Sequence, residues 1–150
     1  MARFFYNLAL LLLLPYVGLH LLLRSRRQPE YLRHIGERFG FYPSHQSSPQ
    51  GGEEVIWLHA VSVGETRAAV PLVAALKERY PDHRILLTHM TPTGRQASGE
   101  LFGAAVQRVY LPYDYPFAVR RFLAHFKPAV GVIMETELWP NLVAACREKG

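Results

Sequence analysis

A single cysteine, Cys146, in 150 residues excludes an internal disulfide and fits a reducing compartment. Flanked by Val143, Ala144 and Ala145, its thiol is expected to be a buried structural one. The chain also lacks G-x-G-x-x-G and G-x-x-x-x-G-K-[ST], so dinucleotide-binding and P-loop readings are without their key residues. Its seven histidines, His20, His34, His45, His59, His83, His89 and His125, form no i, i+4 pair around a carboxylate, and no metal site is expected. Charged residues make up only 19% against 49% apolar, too apolar a balance for a disordered chain. From residue 4 to residue 23 formal charge is missing altogether.

That uncharged stretch, FFYNLALLLLLPYVGLHLLL, is long enough as a helix to rise about 30 Å, the thickness of a hydrocarbon core. Pro15 does not forbid it, because membrane helices tolerate proline. RSRR follows where a signal peptide would need small residues for cleavage, so a signal anchor is favoured. The net charge is +5, with Arg24, Arg26, Arg27, Arg33 and Arg38 close behind the apolar run. An anionic membrane suits this arrangement better than nucleic acid, and the positive-inside rule puts the rest of the chain in the cytoplasm. Residues 1–27 are thus read as an anchor with a basic flank. Residues 28–53 are read as an amphipathic and linker segment, in which Tyr31, Ile35 and Phe39 line one side of a short helix and residues 43–52 are loop. Residues 54–150 are read as a folded domain.

Within that domain, strands are expected at 55–60, 84–88, 106–111 and 130–134. Helices are expected at 66–80, after Thr91-Pro92, from Pro116 to about His125, and from near Pro140. The alternation implies βαβ units, a Rossmann-like parallel sheet and right-handed crossovers. In the common doubly wound order, the first and fourth strands are neighbours at the switch point, where ligands bind at strand carboxyl ends. That order brings Glu65 of Ser62-Val63-Gly64-Glu65 towards Glu135 and Glu137 across one crevice. Glu65 admits two roles, a capping-box acid with Ser62 and a general base that an adjacent helix N-terminus keeps ionised. Gly64 lets a substrate approach the backbone. Thr136 is a plausible cap for the last helix, and one of its two glutamate neighbours is expected to be structural. His59 ends the first strand and can face the crevice or be satisfied in the core. Thr93, Gly94 and Arg95 at the second strand's end suit an anionic group, and the same Thr-Pro-Thr-Gly-Arg run also fits ordinary helix initiation. Asp114 is expected to cap a turn.

HAVSVGE at 59–65, TPTG at 91–94, YLPYDYP at 110–116 and METELWPN at 134–141, behind an anchor and the basic segment RHIGERF at 33–39, resemble the bacterial 3-deoxy-D-manno-octulosonic acid (Kdo) transferases in content and order. The resemblance covers nearly the whole chain. It implies the N-terminal, acceptor-side half of a GT-B glycosyltransferase. It further implies CMP-Kdo as donor, a phosphorylated lipid A precursor as acceptor, the cytoplasmic face of the inner membrane as location, and no metal or other cofactor. By motif matching Glu65 is the general base and Glu135 the second carboxylate, with Ser62, Gly64, Arg67, Thr93, Gly94, Arg95 and Glu137 as substrate contacts. The family's C-terminal donor domain is expected beyond residue 150, so the chain alone is not expected to catalyse transfer. Alternatives are another membrane-associated GT-B transferase using a UDP-sugar, and a non-catalytic lipid-binding module.

Overall fold

The protein is described by a computed structural model covering residues 1–26, 28–43, 53–135, 137 and 139–149. A long helix α1 (Ala2–Ser25) and two short 3₁₀ turns precede the alternating unit β1 (Val55–His59), α2 (Val63–Ala68), α3 (Val70–Arg79), β2 (Arg84–His89), α4 (Pro92–Phe102), β3 (Gln107–Tyr110), α5 (Pro116–Phe126), β4 (Val130–Ile133) and α6 (Pro140–Lys149). The four strands are parallel in the order β3-β2-β1-β4, so the chain reverses direction across the sheet between β1 and β4. The expected α/β architecture and its switch point are therefore present.

Alternate residues of the strands serve opposite faces. Val55, Trp57, Leu86 and Val109 pack with Phe122 and Phe126 of α5 and Leu142 of α6. Leu58, Ile85 and Leu87 pack on the other face with Val73 of α3. Burial on both sides is why VIWLH reads as an unbroken apolar run rather than an alternating one. The expected helix over 66–80 is instead two helices. Pro71, in the first turn of α3, has no N–H to donate to the preceding turn, so the chain re-enters helix at Val70. Thr91 caps α4 as expected, its Oγ accepting from the Gly94 N–H at 3.1 Å.

Gly131 is fixed by packing. Trp57 lies opposite it in the register, and a Cβ at Gly131 would fall 2.5 Å from the indole ring. That ring cannot swing away freely, because its Nε1 donates to Thr88 Oγ1 at 2.8 Å and its face meets Phe122 at 5.1 Å. Gly131→Ala is therefore expected to cost about 1–3 kcal/mol of stability, read as a lowered denaturant midpoint.

Three expectations are corrected. The segment 29–39 is not one amphipathic helix. It forms 3₁₀ turns at Pro29–Tyr31 and Ile35–Phe39, separated by His34 at φ 57°. That left-handed residue resets the periodicity, so Ile35 is exposed while Glu37 and Arg38 are buried. Residues 44–52 of the expected loop lie outside the described residues, as does Arg27 of the basic flank. Cys146 is exposed rather than buried, because Leu142 and Ala145 take the inward face of α6 and Cys146 turns to the wall of a cavity of about 490 Å³ beside β4. Asp114 does not cap its own turn. Its carboxylate accepts from the N–H groups of Asn141 and Leu142, both at 2.9 Å, and so caps α6 from a distance.

Candidate active site

β1 ends at His59, and the chain then turns through Ala60 and Val61 to Ser62, the cap of α2. The turn places Glu65 against its own loop. Glu65 Oε2 accepts from the Val61 N–H at 2.7 Å, and Oε1 accepts from the Ser62 hydroxyl at 2.8 Å. In return Ser62 Oγ accepts from the Glu65 N–H at 3.4 Å. The capping box read from the sequence is thus formed in part, with the Val61 N–H where the Ser62 N–H was expected, and it orients the carboxylate. Glu65 stays half-buried, with two hydrogen bonds on a group that can accept about four. Gly64 is exposed beside it, and a Cβ there would meet only Ser62 Oγ, at 3.8 Å.

The loop after β4 reaches the same end of the sheet, with the Met134 N–H donating to the His59 carbonyl at 3.0 Å. His59 links the two loops, a pairing that sequence reasoning missed. Its Nε2 donates to Glu137 Oε2 at 3.1 Å, and Trp139 Nε1 donates to the same oxygen at 2.8 Å. On its other side, Nδ1 lies 2.8 Å from Thr88 Oγ1, which Trp57 Nε1 also bonds. Nδ1 also lies 3.2 Å from the Thr88 carbonyl oxygen, so both ring nitrogens are held by partners on β2 and in the β4 loop. Burial pulls the His59 pKa below its ordinary value, against the hydrogen bond and charge of Glu137 and the nearby charge of Glu65. Glu137 is therefore held by a histidine and a tryptophan, whereas Glu135 is exposed. Thr136 and Leu138 between and beyond them lie outside the described residues. The available signal for the His59 contact was its position at the end of a buried strand, facing the neighbouring loop.

The TPTG loop joins this wall through backbone packing. A Cβ on Gly94 would stand 3.0 Å from the Val61 carbonyl oxygen, and Thr91 Oγ1 donates to that same carbonyl at 3.0 Å. Gly94 thus spaces α4 against the Ser62 loop and is buried, while Thr93 is exposed. Arg67 stands exposed in the last turn of α2. Arg95 turns the other way, to the buried carboxylate of Glu37, bonding one oxygen through Nη1 and the other through Nη2 at 3.2 Å. Its guanidinium also lies 4.8 Å from the centre of the Tyr110 ring. Arg95, Thr93, Arg33, His34 and Arg108 line a cavity of about 440 Å³ that is separate from the Glu65 crevice in its lining. The cations there outnumber Glu30, the acid at its rim, so an anion is the group this cavity suits. Among the described residues, no group of three His, Cys, Asp or Glu side chains is placed to hold a metal ion.

His89 is the second buried histidine at this end. Its Nδ1 donates to the Ala60 carbonyl at 2.8 Å, and Nε2 is buried without a hydrogen-bond partner among the described residues. Burial, with smaller contributions from His59, Arg95 and Arg108, pulls its pKa from 6.5 to about 4. The unfolded chain then binds more protons than the folded one between those values. Stability is present above pH 6.5 and is lost as pH falls towards 4, by up to about 3 kcal/mol. Melting temperature against pH is expected to flatten over that window in His89→Gln.

The chain matches the family described as "3-Deoxy-D-manno-octulosonic-acid transferase (kdotransferase)" over residues 33–150. It is 46% identical over 156 residues to the 3-deoxy-D-manno-octulosonic acid transferase of Bordetella pertussis, covering 100% of this chain and 36% of that protein. It is 43% identical over 143 residues to that of Haemophilus influenzae, covering 95% and 33%. It is 30% identical over 122 residues to that of Chlamydophila psittaci, covering 81% and 28%. The chain thus spans about a third of the length of the curated relatives it matches. Its parallel sheet is consistent with the N-terminal half of a GT-B glycosyltransferase. With the fold, the motif loops and these matches in agreement, the chain belongs to the 3-deoxy-D-manno-octulosonic-acid transferase family.

Proposed function

We propose that the full protein transfers Kdo from CMP-Kdo to the lipid A precursor lipid IVA in lipopolysaccharide assembly, at the cytoplasmic face of the inner membrane. In this reading the chain supplies the acceptor-side domain and the membrane anchor, and the donor is held by sequence outside it. The observation that carries the reading is Glu65, an oriented carboxylate with unused acceptor capacity at the carboxyl end of β1, beside the β4 loop at the sheet's switch point. The acceptor hydroxyl attacks the anomeric carbon of Kdo by direct displacement. A new C–O bond forms, CMP leaves with the electrons of the old one, and Glu65 takes the hydroxyl proton. Glu135 is the second carboxylate of the site, with Ser62 and Gly64 shaping the approach. In this reading Arg67 and Thr93, both exposed, contact acceptor phosphates, and Arg95, which is paired with Glu37, reaches one only through the separate cavity it lines with Thr93. No metal or other cofactor enters the scheme.

The test is transfer by membranes containing the full-length protein, given lipid IVA and either CMP-Kdo or UDP-sugars. Kdo added to lipid IVA supports the reading. Transfer only from a UDP-sugar would replace the donor, and binding of acidic lipid with no transfer from either would leave a non-catalytic module.

A further inference from the structure

We propose that α1 does not cross the bilayer but lies along it, embedded in one leaflet with one side docked on the folded domain. The inference rests on the membrane location given above and not on the transfer chemistry. By length and composition α1 is a candidate span, and as a 24-residue helix it is about 36 Å long. In a span its two ends would be separated by the hydrocarbon core. Here the first part of α1 bonds the folded domain, and its last turn meets Tyr31 in the segment that Arg38 ties to that domain through the Met90 carbonyl. Near the start, the Tyr6 hydroxyl donates to Asp114 Oδ2 at 3.0 Å, Asn141 Nδ2 donates to Asn7 Oδ1 at 2.7 Å, and the Tyr115 hydroxyl donates to the Leu10 carbonyl at 2.9 Å. Near the end, Leu21 is buried and the Arg24 guanidinium lies 5.1 Å from the Tyr31 ring.

These contacts fall on one stripe. Tyr6, Asn7, Leu10, Val17, Leu21 and Ser25 are the less exposed positions, at the spacing of one helix face. The remaining surface is apolar and open, with Phe4, Phe5, Leu8, Leu12, Leu19 and Leu23 all exposed. Standing α1 upright in a bilayer while keeping its contacts would drag Asp114, Glu148 and Arg120 to membrane depth. Charged groups there cost about 2.5–3.5 kcal/mol each even by the lower scales. Laid flat, the apolar side faces acyl chains and the domain stays in water. The charges fit the flat arrangement. Arg3 lies 4.0 Å from Glu148 with Arg147 beside it at one end of α1, and Arg24 and Arg26 stand at the other. Laid flat, the helix brings the cations at both its ends to the anionic headgroups of one surface.

The test is labelling from each side of the membrane with an impermeant maleimide, in full-length protein with Cys146 and any further native cysteine replaced by serine. Single cysteines are introduced as Ala2→Cys, Ser25→Cys and, as a domain reporter, Glu54→Cys. Ala2 and Glu54 are exposed, and Ser25 is half-buried with its hydroxyl donating to the Leu22 carbonyl of its own helix, so folding is not at stake. Labelling of all three from the same side, in protein that sediments with membranes, is the expected result. Labelling of Ala2→Cys from the side opposite to Glu54→Cys would establish a span and overturn the proposal, and so would protein that stays in the soluble fraction. Transfer activity is not read, so failure of the transferase reading would leave this outcome unaffected, and the reverse also holds.

Discussion

Glu37→Ala is expected to lower stability by about 3–5 kcal/mol, the range for removing one member of a buried ion pair. Glu37 is 1% exposed and accepts from Arg95 at both oxygens and from the Tyr110 N–H at 2.7 Å, with His34 Nδ1 3.4 Å away. Alanine would leave a β3 amide without its acceptor and the Arg95 guanidinium without its counter-charge. The neighbourhood could not absorb that charge, since Arg38 is already buried against the same Tyr110 ring at 4.1 Å and donates to the Met90 carbonyl at 3.1 Å. Denaturant unfolding would read the loss. A control separates charge from packing. In Glu37→Gln/Arg95→Met the charges go together while the volumes stay, and most of the stability should return. If Glu37→Ala and Glu37→Gln/Arg95→Met were equally damaged, the ion pair would not be the source. If Glu37→Ala cost under 1 kcal/mol, the buried pair would contribute no more than an exposed one.

The same residues mark the limit of what the sequence made legible. Strand and helix spacing follows from local patterns: apolar runs of four to six residues, Thr91-Pro92 and Tyr115-Pro116 at helix starts, and the small-residue turn after His59. Those patterns sufficed for the β3-β2-β1-β4 order, because handedness and crossover length leave few alternatives. Long-range polar pairing has no such signature. RHIGERF offers an apolar spacing that suits a surface helix, yet the residue that breaks the pattern is His34, whose left-handed backbone no composition rule announces. Glu37 and Arg38 then go inside because Arg95, Tyr110 and Tyr113 are present there, on other elements and 58 to 75 residues away. Asp114 is a similar case. Its partners, Tyr6 and Asn141, come from either end of the chain. At the site, the Ser62–Glu65 pairing was legible because it is local, and the His59–Glu137 contact was not because it closes only when β1 and β4 pair.

Glu65→Gln is expected to reduce kcat for transfer by the full-length enzyme about 10²–10⁴-fold, the usual contribution of a positioned general base. Glutamine is the informative replacement because, in the proposed scheme, Glu65 has two functions that alanine would remove together. Its Oε2 fixes the loop through the Val61 N–H, and an amide oxygen can accept that bond unchanged. Its Oε1 takes the Ser62 hydroxyl proton, and there an amide nitrogen can donate to the hydroxyl oxygen instead. The loop geometry and the cap of α2 therefore survive in Glu65→Gln, while a group able to take up a proton at neutral pH does not. Thermal stability is expected to change by less than about 1 kcal/mol, and KM for the acceptor to stay near its original value. Glu65→Ala should lose both rate and stability, with the stability part traceable to the orphaned Val61 N–H. Glu137→Gln supplies the contrast. It keeps an acceptor for His59 and Trp139, so the rate should fall less than in Glu65→Gln if its part is to hold the β4 loop in place. Full transfer by Glu65→Gln would remove Glu65 from the chemistry and leave it as the cap of α2 alone, and the base would then have to be sought at Glu135, the exposed carboxylate of the β4 loop.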